Sequence, residues 1–180
     1  NLYLSVVLRP RLPAMAAAPI TLACGVAVAH VVERALAGAG APAAAVQLKW
    51  PNDVLVDGRK IAGVLVEGQI RGDALQSLVV GVGLNVRARR FPEEIQGRAT
   101  SLALLGAEPP REELAADLLE ALGEEVARFE GEGLAALAGE LARRDWLRGR
   151  RVAVGEIAGE AAGIDAEGRL LVQTDDGALR

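Results

Sequence analysis

The sequence predicts an α+β fold, a mixed and largely antiparallel sheet with helices packed on it, followed by a small β module. Three observations support this prediction. Short aliphatic runs follow one another with turn signals between them, as in hairpins. Two long stretches, residues 16–37 and 111–145, have apolar residues at helical spacing. From Arg150 onwards, short β segments are separated by Gly and Asp turns.

The chain begins with a predicted strand and helix. Residues 2–9 alternate well enough to form a strand, which the proline-containing segment 10–13 ends. Residues 16–37 then predict a long, mostly buried helix, and Pro19 is tolerated in its first turn.

Three strands are predicted next, each an almost continuous aliphatic run, which is typical of strands covered on at least one face. A tight turn at 71–75 makes the last two an antiparallel hairpin, and the segment DGRK at 57–60 supplies a second turn. The predicted strands are Val46–Trp50, Ile61–Ile70 and Leu75–Val82.

The second half predicts two helices and the β module. Residues 111–145 have leucines three and four positions apart and acidic residues in the first turn, and Gly-Glu-Gly at 131–133 predicts a break. We place a domain boundary near Gly149, which gives a core over residues 1–148 and a small C-terminal β-barrel over 149–180.

The composition limits the class of protein. With 180 residues, 51% of them hydrophobic, the chain suits one medium domain and an appendage. Its net charge of −4 does not favour a nucleic-acid or membrane-surface role, and we expect no bilayer-spanning segment. The single cysteine, Cys24, excludes an internal disulfide framework and fits a reducing compartment, so we expect a cytoplasmic location.

The segment LKWPNDVLVDGRKIAGVLVEG, residues 48–68, places a cation at the mouth of a loop. Lys49 lies among aliphatic neighbours, where an ammonium costs desolvation free energy unless an anion meets it, and its compact charge suits a phosphate or carboxylate. Asp53 can orient the lysine or hold a divalent cation, and Trp50 stiffens the loop. Alternatively, Lys49 reaches solvent from a strand edge and Asp53 caps a turn.

A second motif, VVGVGLNV at residues 79–86, has two glycines inside a predicted strand. Gly81 and Gly83 weaken a strand unless something approaches the backbone closely, so we interpret them as gaps against which a flat ligand lies. The Asn85 carboxamide, a donor and an acceptor, complements an adenine edge or a ureido group. The alternative is a β-bulge with Asn85 in a turn. The dinucleotide pattern G-x-G-x-x-G is not met, because Val86 takes its last position.

The remaining reactive side chains are interpreted structurally. Cys24 and His30 lie in the apolar helix, and one His without further ligands is not a metal site, so we predict no metal centre. Three aspartates are interpreted as turn residues: Asp165, Asp175 and Asp176. Two arginine groups can face phosphates or an acidic partner, or can be solvated: Arg87, Arg89 and Arg90, and Arg148, Arg150 and Arg151.

Together the two motifs resemble the central core of biotin–protein ligases. The string K-W-P-N-D, followed by G-R-K-x-A-G-[IV]-L-[IV]-E and then VVGVGLNV, is highly specific. The resemblance continues in NLYLSVVLRP, in ATSLALLG and from DWLRGRRVAVGE onwards, and so spans essentially the whole chain. It implies a core like that of class II synthetases and an SH3-like C-terminal barrel.

The resemblance implies an ATP-dependent biotin–[acetyl-CoA-carboxylase] ligase. Such enzymes activate biotin with Mg-ATP to biotinoyl-5′-AMP, and a lysine of a biotin carboxyl carrier domain then attacks this acyl-adenylate. The implied cofactors are ATP and Mg²⁺, with biotin as substrate. The family's core lysine is matched to Lys49, and the residues matched to its biotin and adenylate contacts are Lys49, Gly81, Gly83 and Asn85. Weaker supporting matches are Trp50, Asn52 and Asp53.

The resemblance also sets expectations about partners and extent. We expect a carrier domain as partner and a homodimer formed by edge-strand pairing, and we expect neither nucleic acid nor membrane for this segment. The family's Gly-Arg-Gly-Arg loop precedes the strand at which this chain begins, so we expect a piece of a longer protein. Two alternatives stay open: a lipoate ligase relative, which the K-W-P-N-D string disfavours, and a non-catalytic module that senses biotinoyl-adenylate or only dimerises.

Overall fold

A five-stranded antiparallel sheet forms the centre of the fold. The computed structural model describes residues 1–13, 18–41, 44–71 and 74–180. The strands lie in the order β1-β5-β4-β3-β2, and every neighbouring pair is antiparallel. They are β1 (Leu2–Leu8), β2 (Val46–Lys49), β3 (Asp53–Val56), β4 (Arg59–Arg71) and β5 (Ala74–Leu84).

Helices cover one face of this sheet. Helix α1 (Ile20–Gly38) packs on β2, β3 and β4, and helix α2 (Arg111–Glu132) lies on α1. A 3₁₀ segment (Gly133–Leu137) connects α2 to α3 (Ala138–Arg144), so the break predicted at 131–133 is confirmed. The predicted first helix agrees with α1, although residues 16 and 17 lie outside the described residues.

The sheet has one covered and one open face because strand side chains alternate. Val54, Val64 and Val82 point towards the helices and are at most 3% exposed. On the other face Tyr3 is 80% and Leu65 60% exposed. The open face is therefore the part of the sheet on which a ligand can lie.

The turn predicted at 57–60 is confirmed, but the strand before it was not predicted. Asp57 and Gly58 both have positive φ, 49° and 75°, as a two-residue hairpin turn requires. Strand β3 pairs with β2 on one side and β4 on the other, so the predicted turn joins β3 to β4. The predicted hairpin of β4 and β5 is confirmed by their antiparallel register; residues 72 and 73 of its turn lie outside the described residues.

By its length and composition, helix α1 could cross a membrane, whereas we expected no segment that could span a bilayer. In the fold, 67% of that span is buried. Its residues Val28 and Val31 are fully buried, as in the core helix of a packed domain.

A buried ion pair ties α1 to α3 and β2. The Arg144 guanidinium donates to both oxygens of Glu33, at 2.6 and 2.8 Å, and its Nε donates to Glu140 at 2.8 Å. Its Nη1 also donates to the Val46 carbonyl at 3.1 Å. The end of α3, and the chain that continues from it, are thereby fixed relative to the sheet.

The predicted C-terminal β module is confirmed as a three-stranded antiparallel sheet, in the order β6-β7-β8. Its strands are β6 (Arg151–Val154), β7 (Ile157–Ile164) and β8 (Leu170–Thr174). Asp165 accepts bonds from the backbone N–H groups of Glu167 and Arg169, and so is the turn residue that the sequence predicted.

Candidate functional site

Five residues, one from each strand, form a row across the open face. Directly paired residues in an antiparallel sheet share a face. Lys49 pairs with Asp53, Asp53 with Gly63, Gly63 with Gly83 and Gly83 with Tyr3. Two glycines therefore occupy the middle of this face, and charged groups lie to one side of them.

A shallow hollow of about 450 Å³ lies over the glycines. We call it the glycine hollow; its lining includes Tyr3, Asn52, Gly63, Leu65, Gly81 and Gly83. A Cβ atom at Gly81 or Gly83 would lie no closer than 3.5 Å to another side chain or backbone, which is an ordinary contact. Because the fold itself has room for a side chain at both positions, their glycines leave space for something outside the chain.

Lys60 places a cation beside the glycine hollow, and the sequence analysis did not predict it. Its Nζ lies 3.2 Å from the position that a Cβ on Gly63 would take. It forms an ion pair with Asp53 on the neighbouring strand, and the Asp53 side chain is 22% exposed. Lys60 is the lysine of G-R-K in the same motif, but our prediction from that motif named only Lys49.

Lys49 faces a second hollow of about 430 Å³ at the β2 side of the sheet. We call it the tryptophan hollow; it is lined by Lys49, Asp53, Leu55, Gly58, Lys60, Ile95, Arg98, Ala99 and Trp146. The Lys49 ammonium lies 5.7 Å from the centre of the Trp146 ring. Three strand spacings, about 14 Å, separate Lys49 from Gly83. The structure therefore does not bring Lys49 together with Gly81 and Gly83.

The two hollows adjoin at the Lys60–Asp53 ion pair. Both residues line the tryptophan hollow, and they lie beside Gly63 of the glycine hollow. Two ligands, one in each hollow, would thus meet beside a single ammonium. A lysine with its three donors can contact an anion from each side.

Asn52 and Trp50 hold the loop before β3 in place. The Asn52 carboxamide donates to the Val64 carbonyl at 2.9 Å, and Val64 N–H donates back to the Asn52 carbonyl at 2.9 Å. The Trp50 indole donates to the Gly168 carbonyl of the C-terminal sheet at 3.0 Å. Trp50 thus packs against the core and connects the loop to the C-terminal sheet.

Asn85 lies at the end of β5, but its amide is engaged within the fold. Its Nδ2 donates to the Thr100 carbonyl at 3.0 Å, and its N–H donates to Ile61. Among the described residues, the sets that line the two hollows do not include Asn85. Lys49 and Asn85 thus do not line the same one of these two hollows, and the expectation that they face one pocket stays a prediction.

Cys24 and His30 lie in or at the edge of the core, away from the two hollows. Burial raises the pKa of the Cys24 thiol to about 12, so it is not a nucleophile at neutral pH. His30 lies between Glu125 and Glu140 at 3.5 and 3.4 Å, at the boundary of the core.

One member of each predicted arginine group forms an ion pair within the fold. Arg89 pairs with Glu108, and Arg151 pairs with Asp175.

The described residues hold no cluster of three or more metal-binding side chains. Mg²⁺ bound together with a nucleotide takes its ligands mainly from phosphates and water, with one or two carboxylates from the protein. The Asp53 carboxylate at the junction of the hollows fits that limited role.

Comparison with known proteins first defines the class. Residues 1–85 match the family model of the biotin/lipoate A/B protein ligases, and residues 149–180 match that of the biotin protein ligase C-terminal domain. The crystal structure of biotin protein ligase from Aquifex aeolicus superposes with a TM-score of 0.80 at 30% identity, over 99% of this chain and 77% of that chain. The same enzyme in complex with biotin and ATP gives 0.79 at 29% identity, over 99% of this chain and 73% of that chain.

Curated relatives narrow the assignment. The bifunctional ligase/repressor BirA of Escherichia coli K12 is 37% identical over 97% of this chain and 54% of its own length. The biotin–[acetyl-CoA-carboxylase] ligase of Mycobacterium tuberculosis H37Rv is 39% identical over 84% of this chain and 55% of its own length. The chain belongs to the biotin protein ligase family. It spans about half the length of the curated relatives it matches.

Proposed function

We propose that this chain provides the sheet and the central lysine of a biotin–protein ligase. The enzyme activates biotin with Mg-ATP to biotinoyl-5′-AMP and then transfers biotin to a lysine of a biotin carboxyl carrier domain. The observation that carries the proposal is the position of Lys60, whose ammonium lies beside Gly63 where the two hollows adjoin.

Biotin occupies the glycine hollow in this proposal. The missing side chains at Gly81 and Gly83 leave a flat surface for its fused rings, and exposed Leu65 and Tyr3 supply apolar contact. Its carboxylate then points along the row towards Lys60. We keep Gly81 and Gly83 as substrate contacts and give Asn85 a supporting role through its bond to Thr100.

Lys60 rather than Lys49 takes the central role in the chemistry. A biotin carboxylate oxygen attacks the α-phosphorus of ATP, the bond from that phosphorus to the bridging oxygen breaks, and pyrophosphate leaves. Both reactants are anions, so a cation between them reduces their repulsion and stabilises the charge that builds up on the phosphorus. Asp53 holds the ammonium in place and is the protein oxygen best placed to meet Mg²⁺.

The second half-reaction uses the same surface. A carrier lysine, as the neutral amine, attacks the acyl carbon of biotinoyl-5′-AMP, AMP leaves, and the nitrogen loses a proton. A biotin carboxyl carrier protein is therefore the proposed macromolecular partner. A homodimer, a cytoplasmic location and the absence of nucleic-acid and membrane partners stay predictions.

The test is pyrophosphate release by the full-length protein. We expect release that requires both biotin and ATP, and we expect lipoate at the same concentration to give none. No release with biotin, or equal release with lipoate, would overturn the proposal. Release of biotinoyl-5′-AMP without transfer to any carrier domain would favour the sensing module instead.

A further inference from the structure

A cleft of about 330 Å³ lies between helix α3 and the C-terminal sheet. Among the described residues, those that line it line neither the glycine hollow nor the tryptophan hollow, so the proposed chemistry does not use it. Its volume lies at the lower end of the range of small-molecule pockets. We call it the C-terminal cleft; its lining includes Leu134, Leu141, Ala142, Arg148, Ile164 and Leu171.

Two separate parts of the chain supply the apolar walls of the C-terminal cleft. Leu134 and Leu141, both at most 6% exposed, come from the 3₁₀ segment and α3, whereas Ile164 and Leu171 come from β7 and β8. An alkyl chain between these walls would be removed from water on both sides. Such burial is favourable in proportion to the apolar area that it covers.

Arg148 provides a cation at the mouth of the cleft. Its side chain is exposed, and its Nη1 lies 3.9 Å from the position that a Cβ on Gly163 of β7 would take. In the part of the chain that the structure describes, the Arg148 guanidinium forms neither a hydrogen bond nor an ion pair; only its backbone N–H donates, to Asp145. A guanidinium with all its donors available can bind a carboxylate through two parallel hydrogen bonds.

The two carboxylates that line the cleft are already engaged. Asp145 accepts from the backbone N–H of Leu147 at 2.9 Å, and Asp165 accepts from the Arg169 side chain at 2.7 Å. The cleft thus offers one available positive charge with negative groups nearby. This arrangement suits a ligand with a single negative charge, because a second charge would meet Asp145 or Asp165 without a cation of its own.

We propose that the C-terminal cleft binds an aliphatic monocarboxylate. The alkyl chain lies between α3 and the β7–β8 hairpin, and the carboxylate accepts hydrogen bonds from Arg148. This site does not depend on the proposed function, since it shares no residue with the proposed reaction centre.

A ligand in the cleft would hold the C-terminal sheet against α3. The turn between β7 and β8 carries Gly168, whose carbonyl accepts the hydrogen bond from the Trp50 indole at 3.0 Å. A ligand that binds only when the two walls are packed together stabilises the packed arrangement. Occupation of the cleft should therefore reduce local opening of this hairpin.

Calorimetry with octanoate tests the proposal on the full-length protein. We expect saturable binding of octanoate, and binding of 1-octanol at least about tenfold weaker, because the alcohol lacks the charge. Arg148→Gln should lower the affinity for octanoate at least about tenfold. Arg111→Gln, at an exposed arginine of α2 outside the cleft, is the control and should keep it. Absence of saturable octanoate binding, equal binding of octanol, or full affinity in Arg148→Gln would overturn the proposal.

A second variant fills the cleft without changing its charge. Ala142 is exposed on α3, and leucine is a good helix former, so Ala142→Leu should fold at an unchanged melting temperature. We expect it to lose octanoate binding. Ala116→Leu, at an exposed position of α2 outside the cleft, should bind normally. Normal binding by Ala142→Leu would place octanoate elsewhere and would refute the assignment.

Hydrogen exchange followed by mass spectrometry reports on the hairpin itself. Octanoate should slow amide exchange over residues 164–171 in the wild-type protein and leave it unchanged in Arg148→Gln. Unaltered exchange in the wild-type hairpin at saturating octanoate would contradict a site between α3 and the C-terminal sheet.

Discussion

Arg144 and Glu33 form a two-point ion pair across the helical layer, with nitrogen–oxygen distances of 2.6 and 2.8 Å. The Arg144 side chain is 1% exposed, whereas Glu33 and Glu140 are 37% and 28% exposed. Removing one partner of a buried pair leaves the other charge without compensation. The pair therefore stabilises the position of α3 more than exposed pairs of the same geometry could.

We expect Arg144→Ala to lower the free energy of unfolding by about 3 kcal/mol. Urea denaturation followed by circular dichroism measures this. Arg143→Ala is the control, because Arg143 bonds to the same Glu140 but is 59% exposed, and we expect a loss below about 1 kcal/mol. Equal losses in the two variants would show that burial of the pair is not what matters.

Acid should weaken the ion pairs that Arg144 forms with Glu33 and Glu140. Burial would raise the pKa of Glu140, but the hydrogen bonds from Arg143 and Arg144 outweigh it and lower the pKa from 4.5 to about 2. The pKa of Glu33 is lowered chiefly by its hydrogen bond from Arg144. Because these folded-state pKa values lie below the unfolded ones, their contribution to stability is full above about pH 4.5 and is lost as the pH falls towards 2.

Glu140→Gln tests this pH dependence. Urea denaturation at several pH values should show a gap in unfolding free energy between wild type and variant at pH 6 that closes as the pH falls below about 4.5. A gap that stays constant down to pH 3 would contradict the prediction.

The two lysines of the central motif should differ in activity. We expect Lys60→Ala to lower the rate of biotinoyl-5′-AMP formation by about 10²- to 10³-fold, the effect of removing one electrostatic donor from a transition state. Lys49→Ala should keep the rate within about tenfold, because its ammonium lies over Trp146 and away from the glycine hollow. Single-turnover assays measure both, and the opposite ranking would return the central role to Lys49.

Filling the glycine hollow should block biotin without harming the fold. At Gly83 a Cβ meets only the Tyr3 ring, at 3.5 Å, and valine suits a strand. We expect Gly83→Val to weaken biotin binding at least about tenfold in calorimetry, at unchanged melting temperature. The control is Gln76→Val, at an exposed position of the same strand outside the hollow. Normal biotin binding by Gly83→Val would place biotin elsewhere.

Cys24 should be inert in the folded protein. Its thiol is fully buried and its pKa is raised to about 12. We expect no alkylation by iodoacetamide at pH 8 under native conditions and full alkylation in urea, measured by mass spectrometry. Rapid native alkylation would mean that α1 opens from the sheet.

Most strands and helices could be predicted from the sequence because their hydrophobic periodicity is visible within a few consecutive residues. Aliphatic runs gave the strands Val46–Lys49 and Arg59–Arg71 close to their bounds, and leucine spacing gave α2 and the break after it. Strand β3 was missed because only four residues separate two tight turns. Nothing in so short a run distinguishes a strand from a loop until its neighbours pair with it.

The sequence motifs indicate which part of the sheet carries the candidate site, but not which side chains meet there. The interpretation of Gly81 and Gly83 as gaps for a ligand stays a prediction, and the open space over both glycines supports it. Choosing between Lys49 and Lys60 required the register, and an irregularity in the β3–β4 pairing at Val54 and Leu55 shifts it. Trp146 lies about a hundred residues from Lys49, so only the packing of α3 brings the two together.

The hydrogen bond from Trp50 to Gly168 makes the C-terminal sheet a brace for the loop that carries Asn52. A Cβ on Gly168 would come within 2.9 Å of Pro19. The turn can therefore pack against the start of α1 only because Gly168 has no side chain. A change in this distant hairpin can therefore loosen the loop beside the glycine hollow without altering any residue that lines the hollow. Inactivating changes in such a remote segment need not mark a second site.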